Sequence, residues 1–208
     1  MFQSTFMICS SSLDEDKSKE ITYNIMAQFE IKDGVAIIPE GPTEIWDGAF
    51  EGCTSLKSIV IPEGITEIGT VFRDCTSLEN VTLPESVTYI GWHAFKGCTS
   101  LESIIIPKSV TEIWDRAFYG CTSLKSITIP KGVKEIGRST FNGCKALNTI
   151  ILPIGVNKIG KGAFYECSAL STIYVPAGKS DYYKKRLPEE LHNKIIELKA
   201  EKKIKAKK

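Results

Sequence analysis

The chain has 208 residues, 42% of them hydrophobic and 25% charged, and a formal net charge of +1. This is the composition of a folded globular chain, not of a disordered or low-complexity one, and no run approaches the ~18 apolar residues of a membrane-spanning helix. Charge is unevenly spread: residues 179–208 hold 11 Lys and Arg against 5 Asp and Glu, which leaves 15 against 20 for residues 1–178.

Residues 1–23, with the polar run DEDKSKE at 14–20, read as an irregular lead-in. The opening MFQSTFMICSSS lacks Lys and Arg and makes a poor secretion signal. Residues 24–38 contain two short β-like runs around Asp33-Gly34, a dipeptide suited to the positive φ angles of a tight hairpin. Such a hairpin would cover the exposed apolar layer and strand edge of the segment C-terminal to it.

That segment is a repeat. Prolines fall at Pro39, Pro62, Pro84, Pro107, Pro130, Pro153 and Pro176, and cysteines at Cys53, Cys75, Cys98, Cys121, Cys144 and Cys167, in steps of 23 residues with a single 22. A fixed period of this size is the mark of a solenoid. Six units run from 39 to 175. In the fourth, PKSVTEIWDRAFYGCTSLKSITI, the apolar slots are Val110, Ile113, Ala117, Phe118, Cys121, Leu124, Ile127 and Ile129. Burying these eight side chains does not offset the entropy of ordering 23 residues, so the units fold only as a stack.

Within a unit, Leu124-x-x-Ile127-x-Ile129 has the period of a strand, ended by Pro130. Val110-x-x-Ile113 reads as a second, shorter extended piece, and AFYGC as a tight turn or a turn of 3₁₀-helix. The cysteines share one slot and so stack side by side, about one strand spacing of ~4.8 Å apart with parallel side chains. That geometry disfavours disulfides between them and supplies no tetrahedral metal site. It predicts a ladder of buried free thiols acting as small hydrophobes.

These residues resemble the leucine-rich repeats of the BspA-like (Treponema pallidum-type) class, whose unit is LxxIxIPxxVxxIGxxAFxxC; the resemblance covers residues 39–175, and VPAGKSDYYKKR is similar to that class's C-terminal cap. It implies a leucine-rich repeat solenoid and a surface or secreted protein that adheres to host matrix proteins, host cells or other microbes.

Departures from the unit carry their own expectations. The second unit has GTV between Ile68 and Phe72 where the third has GWHA between Ile90 and Phe95, a one-residue deletion expected to tighten the outer turn. Trp46 and Trp114 take a slot that is glycine in other units, and Trp92 follows one position later, which places Trp92 beside Trp114. Residues 176–208 read as a C-terminal helical cap and basic tail: Ser180 caps a helix starting at Asp181, and after Pro188 a second helix carries Leu191, Ile195, Ile196 and Leu198 as its apolar stripe. The six lysines of residues 199–208 read as a solvated tail.

No catalytic, cofactor or metal constellation emerges. His93 and His192 stand apart in a repeat turn and in the cap, and Gly155–Gly162 (GVNKIGKG) imitates a phosphate loop only because the repeat spaces its glycines that way. Attention therefore falls on the outward strand slots: Ser58 and Val60, Asn80 and Thr82, Ser103 and Ile105, Ser126 and Thr128, Thr149 and Ile151, Thr172 and Tyr174. This face is uncharged, and Glu40, Glu63, Glu85, Lys108, Lys131 and Ile154 run beside it.

The fold expected is a β-rich repeat solenoid of about six coils with a parallel sheet on one side, an N-terminal hairpin lid and a C-terminal helical cap. The expected function is a monomeric, non-catalytic scaffold that binds another protein, with no nucleic acid, no membrane span and no cofactor. An enzyme or enzyme accessory domain with a site in its loops, and a spacer of a longer surface protein, are the alternatives.

Overall fold

The computed structural model describes residues 30–38 and 44–199. The lead-in, Pro39, Glu40 and residues 200–208 lie outside them. Strands β1 (Glu30–Lys32) and β2 (Val35–Ile37) form the expected antiparallel hairpin, turning through Asp33 and Gly34 at φ 53° and 84°. Two successive positive φ angles give the strand twist a tight hairpin needs. A side chain on Gly34 would collide with that of Lys57.

β2 does more than cover the stack. It pairs in parallel with β3 (Ser58–Val60), which pairs with β5 (Asn80–Thr82). Further along, β8 (Ser126–Thr128), β10 (Thr149–Ile151) and β12 (Thr172–Val175) continue in register, with Ile127, Ile150 and Ile173 aligned. Proline then ends each strand. The sheet expected along this side is interrupted at the third unit, where Ser103 makes a single bridge to Ser126. The second side is continuous: β4 (Glu67–Ile68), β6 (Tyr89–Ile90), β7 (Glu112–Ile113), β9 (Glu135–Ile136) and β11 (Lys158–Ile159) form one five-stranded parallel sheet.

Between the second side and the strand side lies the outer turn. Its phenylalanines Phe50, Phe72, Phe95, Phe118, Phe141 and Phe164 stack in one column, with successive ring centroids 5.2–5.8 Å apart and planes within 13° of parallel. Two residues per outer turn adopt left-handed φ. One precedes the cysteine (Gly52, Asp74, Gly97, Gly120, Gly143, Glu166) and the other precedes the small residue before phenylalanine (Gly48, His93, Arg116, Ser139, Gly162). The second unit lacks the latter, so its deletion removed the strained position and spared Val71 and Phe72, both fully buried. At Gly137 a Cβ would lie 2.4 Å from the Asp115 nitrogen, which fixes glycine there.

The cysteine ladder holds with one correction and one addition. Cys75, Cys98, Cys121, Cys144 and Cys167 are free and buried, whereas Cys53 is disulfide-bonded. Cys53 heads the column and has ladder neighbours on one side only, so the parallel-stacking argument constrains it less. The five free thiols are also donors: each Sγ reaches the carbonyl of the phenylalanine in the preceding coil at 2.8–3.1 Å. Burial pushes the Cys75 and Cys167 thiols up to about 12 and raises Cys98 and Cys121 as well.

At the far end, α1 (Ser180–Lys184) is short. Its Tyr183 is fully buried and donates its hydroxyl to the Pro153 carbonyl, while Tyr182 donates to Val156 at 3.0 Å and carries the Arg186 guanidinium 3.5 Å above its ring. Two expectations fail here. Ser180 is the first helical residue and not the cap, and Lys179 at the N-cap position makes no side-chain capping bond; the Glu197 carboxylate instead accepts from the Gly178 and Ser180 amides at 2.8 and 2.9 Å. The second helix is a 3₁₀ segment, Glu189–Lys194, after which Ile195–Glu197 forms β13, paired in parallel with β12. The open edge of β12 offers ladder hydrogen bonds to β-branched Ile195 and Ile196, and these outweigh a short helix with little to bury.

Candidate functional site

The strands place their inward residues in the core and their alternate residues outward. Ile59, Val81, Ile104, Ile127, Ile150 and Ile173 are buried. The expected outward residues stand beside them, but unequally. Ile105 is 86% exposed and Val60 59%; Asn80, Thr82, Ser103, Ser126 and Thr128 are exposed, whereas Ser58, Thr149, Ile151, Thr172 and Tyr174 are half-buried. Ile105, the most exposed, sits where the sheet is interrupted.

Register extends the row at both ends. Ile37 is partnered with Val60, and Ile196 with Tyr174; Ile37 is 67% exposed and Ile196 47%. Val35 is likewise partnered with Ser58. Sequence reasoning misses all three as surface residues. For Val35 and Ile37 the signal exists, because the hairpin carries the same alternation as the repeat strands; Ile196 is hidden when its segment is read as helix. The completed row is Ile37, Val60, Thr82, Ile105, Thr128, Ile151, Tyr174 and Ile196, roughly 34 Å long at ~4.8 Å per strand. Charge lies only at its margins, as in the Lys125–Glu102 pair at 2.5 Å.

The tryptophans form a second exposed feature on the other side of the coil. Trp92, 55% exposed, meets Trp114 edge-to-face at 4.8 Å, and Trp114 meets Tyr89 in the same way at 5.1 Å. The Trp114 indole donates to Glu112 at 2.7 Å. Burial, with the charges of Glu67, Asp47 and Glu112, raises the Tyr89 pKa. A cleft of about 500 Å³ adjoins the pair, but each ring already packs against another.

The histidines stay apart. His93 is half-buried in a left-handed turn, its pKa lowered by burial and by Lys96, Arg116 and Arg73; the His192 ring lies 3.0 Å from the Leu187 carbonyl. Among the described residues no three metal-capable side chains gather, and no helix is long and apolar enough to cross a membrane.

A sequence profile of the BspA type leucine rich repeat region matches in six copies over residues 19–71 and 70–186. The chain belongs to this family. A crystal structure of a T. pallidum leucine-rich repeat protein is similar, with 33% identity over 68% of this chain and 72% of that one, and a TM-score of 0.66. A leucine rich cell surface protein of Faecalibacterium prausnitzii is 31% identical over 75% of this chain, with a TM-score of 0.62. A leucine-rich repeat protein of Eubacterium ventriosum is 27% identical over 73%, with a TM-score of 0.63. The match spans only 41% and 42% of those two longer chains. Among curated proteins nothing matches.

Proposed function

We propose that this BspA-type repeat protein is a monomeric, non-catalytic scaffold that binds another protein through the strand face, in an adhesive role at a cell surface. The observation that carries the reading is the uncharged row from Ile37 to Ile196, with Val60 and Ile105 more than half exposed. A partner can desolvate it without stranding a charge, exposed apolar patches often mark contact sites, and Tyr174 supplies an aromatic anchor. The cell surface protein of F. prausnitzii supports the location. Residues 39–175 serve as the repeat body and the flanking segments as its caps.

The test is a binding assay of the immobilised protein against a panel of extracellular matrix proteins and whole epithelial cells. Val60→Lys with Ile105→Lys leaves the fold intact, because both side chains face solvent, and is expected to weaken binding at least about tenfold, because the contact would then bury two unpaired charges. If that variant binds normally while Trp92→Ala with Trp114→Ala does not, the outer side is the contact surface instead.

A further inference from the structure

In the first two coils two outer-turn amides, and in the third, fourth and fifth coils three, point along the axis and are met by carbonyls of the next coil. Arg116, Phe118 and Gly120 donate to the carbonyls of Arg138, Thr140 and Asn142 at 2.8–2.9 Å, and Ser139, Phe141 and Gly143 donate to Lys161, Ala163 and Tyr165 at 2.9–3.1 Å. The equivalent amides of the last coil belong to Gly162, Phe164 and Glu166. No backbone acceptor among the described residues meets them.

All three residues line a cleft of about 1000 Å³ between this last outer turn and the C-terminal cap. Its floor is the open end of the phenylalanine column: Phe164 is 8% exposed where Phe118 and Phe141 are fully buried. Around that floor stand six Lys and Arg against three Asp and Glu, a net charge of +3. Of the cations, Arg116, Lys161, Lys185, Arg186 and Lys194 have no carboxylate within 4.0 Å among the described residues. Backbone donors turned into a cleft are met by an acceptor or by water, so this cleft holds three donors suited to a ligand.

We propose that the cleft binds an acidic peptide in a turn conformation, whose main-chain carbonyls take the place of the missing next coil. Two features select this occupant. The donors come from alternate residues, and inside the stack they are met by carbonyls of alternate residues of one turn segment, a spacing that a peptide main chain folded into a similar turn reproduces. The surplus of cations then selects acidic side chains. The surface is separate from the strand face, so this site stands or falls independently of adhesion through the row from Ile37 to Ile196.

The probe is a fluorescein-labelled decapeptide of alternating Glu and Ala, with an alternating Lys and Ala peptide as the comparison, titrated into the full chain by fluorescence anisotropy. The acidic peptide is expected to bind and the basic one not. Lys161→Glu with Lys185→Glu, both exposed side chains, should weaken binding at least about tenfold, and Val60→Lys with Ile105→Lys should leave it unchanged. Bound peptide should also slow amide exchange at Gly162, Phe164 and Glu166, a readout that non-specific attraction to surface lysines would not move. Failure of the acidic peptide to bind, or binding that ignores the lysine reversal or leaves those three amides unprotected, would overturn the proposal. So would concentration-dependent self-association that protects the same amides, which would make a second copy of the chain the occupant.

Discussion

The strand side and the outer-turn side are built from the same units, yet the stack uses them differently. On the outer side the sheet is continuous, every unit supplies a phenylalanine to one column, and five successive thiols bond to the carbonyl one coil back. On the strand side the ladder lapses at the third unit and the outward residues range from Asn80 to Tyr174. Side chains that touch their own copies above and below are held to one identity by packing. Those that face solvent are free to differ, which leaves the strand face available for recognition while the outer side holds the coils together.

The largest expected effect tests that division directly. Phe118→Ala removes the centre of the stack and should destabilise the protein by about 3 to 5 kcal/mol in urea unfolding, as core aromatic truncations do. Ile105→Ala should stay within about 0.5 kcal/mol. Equal losses at both positions would break the comparison.

Alkaline pH should attack the outer side first. Burial raises the folded-state pKa of Cys75 and Cys167 to about 12, above the unfolded thiol value of about 8.5. The neutral thiols therefore contribute their full stability below about pH 8.5 and lose it as pH rises toward 12. The urea midpoint should fall between pH 8 and pH 11, and the five ladder thiols should resist a thiol reagent at neutral pH until the protein unfolds. Cys121→Ala deletes one link from the Cys121 thiol to the Phe95 carbonyl. It leaves that buried carbonyl with one bond fewer, for an expected loss of about 1 to 2 kcal/mol in the same unfolding assay.

Smaller effects sharpen the picture locally. Ser139 sits at φ 52°, where a Cβ is strained, so Ser139→Gly should gain stability, by no more than about 1 kcal/mol after the added freedom of the unfolded chain is set against it. Glu197 reaches only the cap. Its bonds from the Gly178 and Ser180 amides hold its pKa down to about 2, below the unfolded carboxylate value of about 4.3. Its contribution is present above that value and fades as pH falls toward 2. Amide exchange at Ile195–Glu197 should quicken in acid ahead of the repeat strands, and Glu197→Gln should produce the same quickening at pH 7.

The sequence by itself determined the coil. A period of 23 with isoleucines at strand spacing, a proline stop and a single cysteine slot leaves one economical arrangement, because each apolar slot must fall on its own copy to be buried. The Asp33-Gly34 hairpin and the Trp92–Trp114 contact were legible for the same reason: local turn chemistry and repeat arithmetic place them. What only the tertiary structure decided lies where periodicity stops or where neighbours in space are far apart in sequence. The run from Ile195 to Leu198 is compatible with helix or strand until the open edge of β12 supplies ladder partners. Glu197 caps α1 from beyond it, the thiols donate across 25 or 26 residues, and Cys53 is bonded as a disulfide. The row from Ile37 to Ile196 and the amides left open at Gly162, Phe164 and Glu166 likewise exist only once the coils are stacked, since an edge is a property of where a stack ends and not of any unit within it.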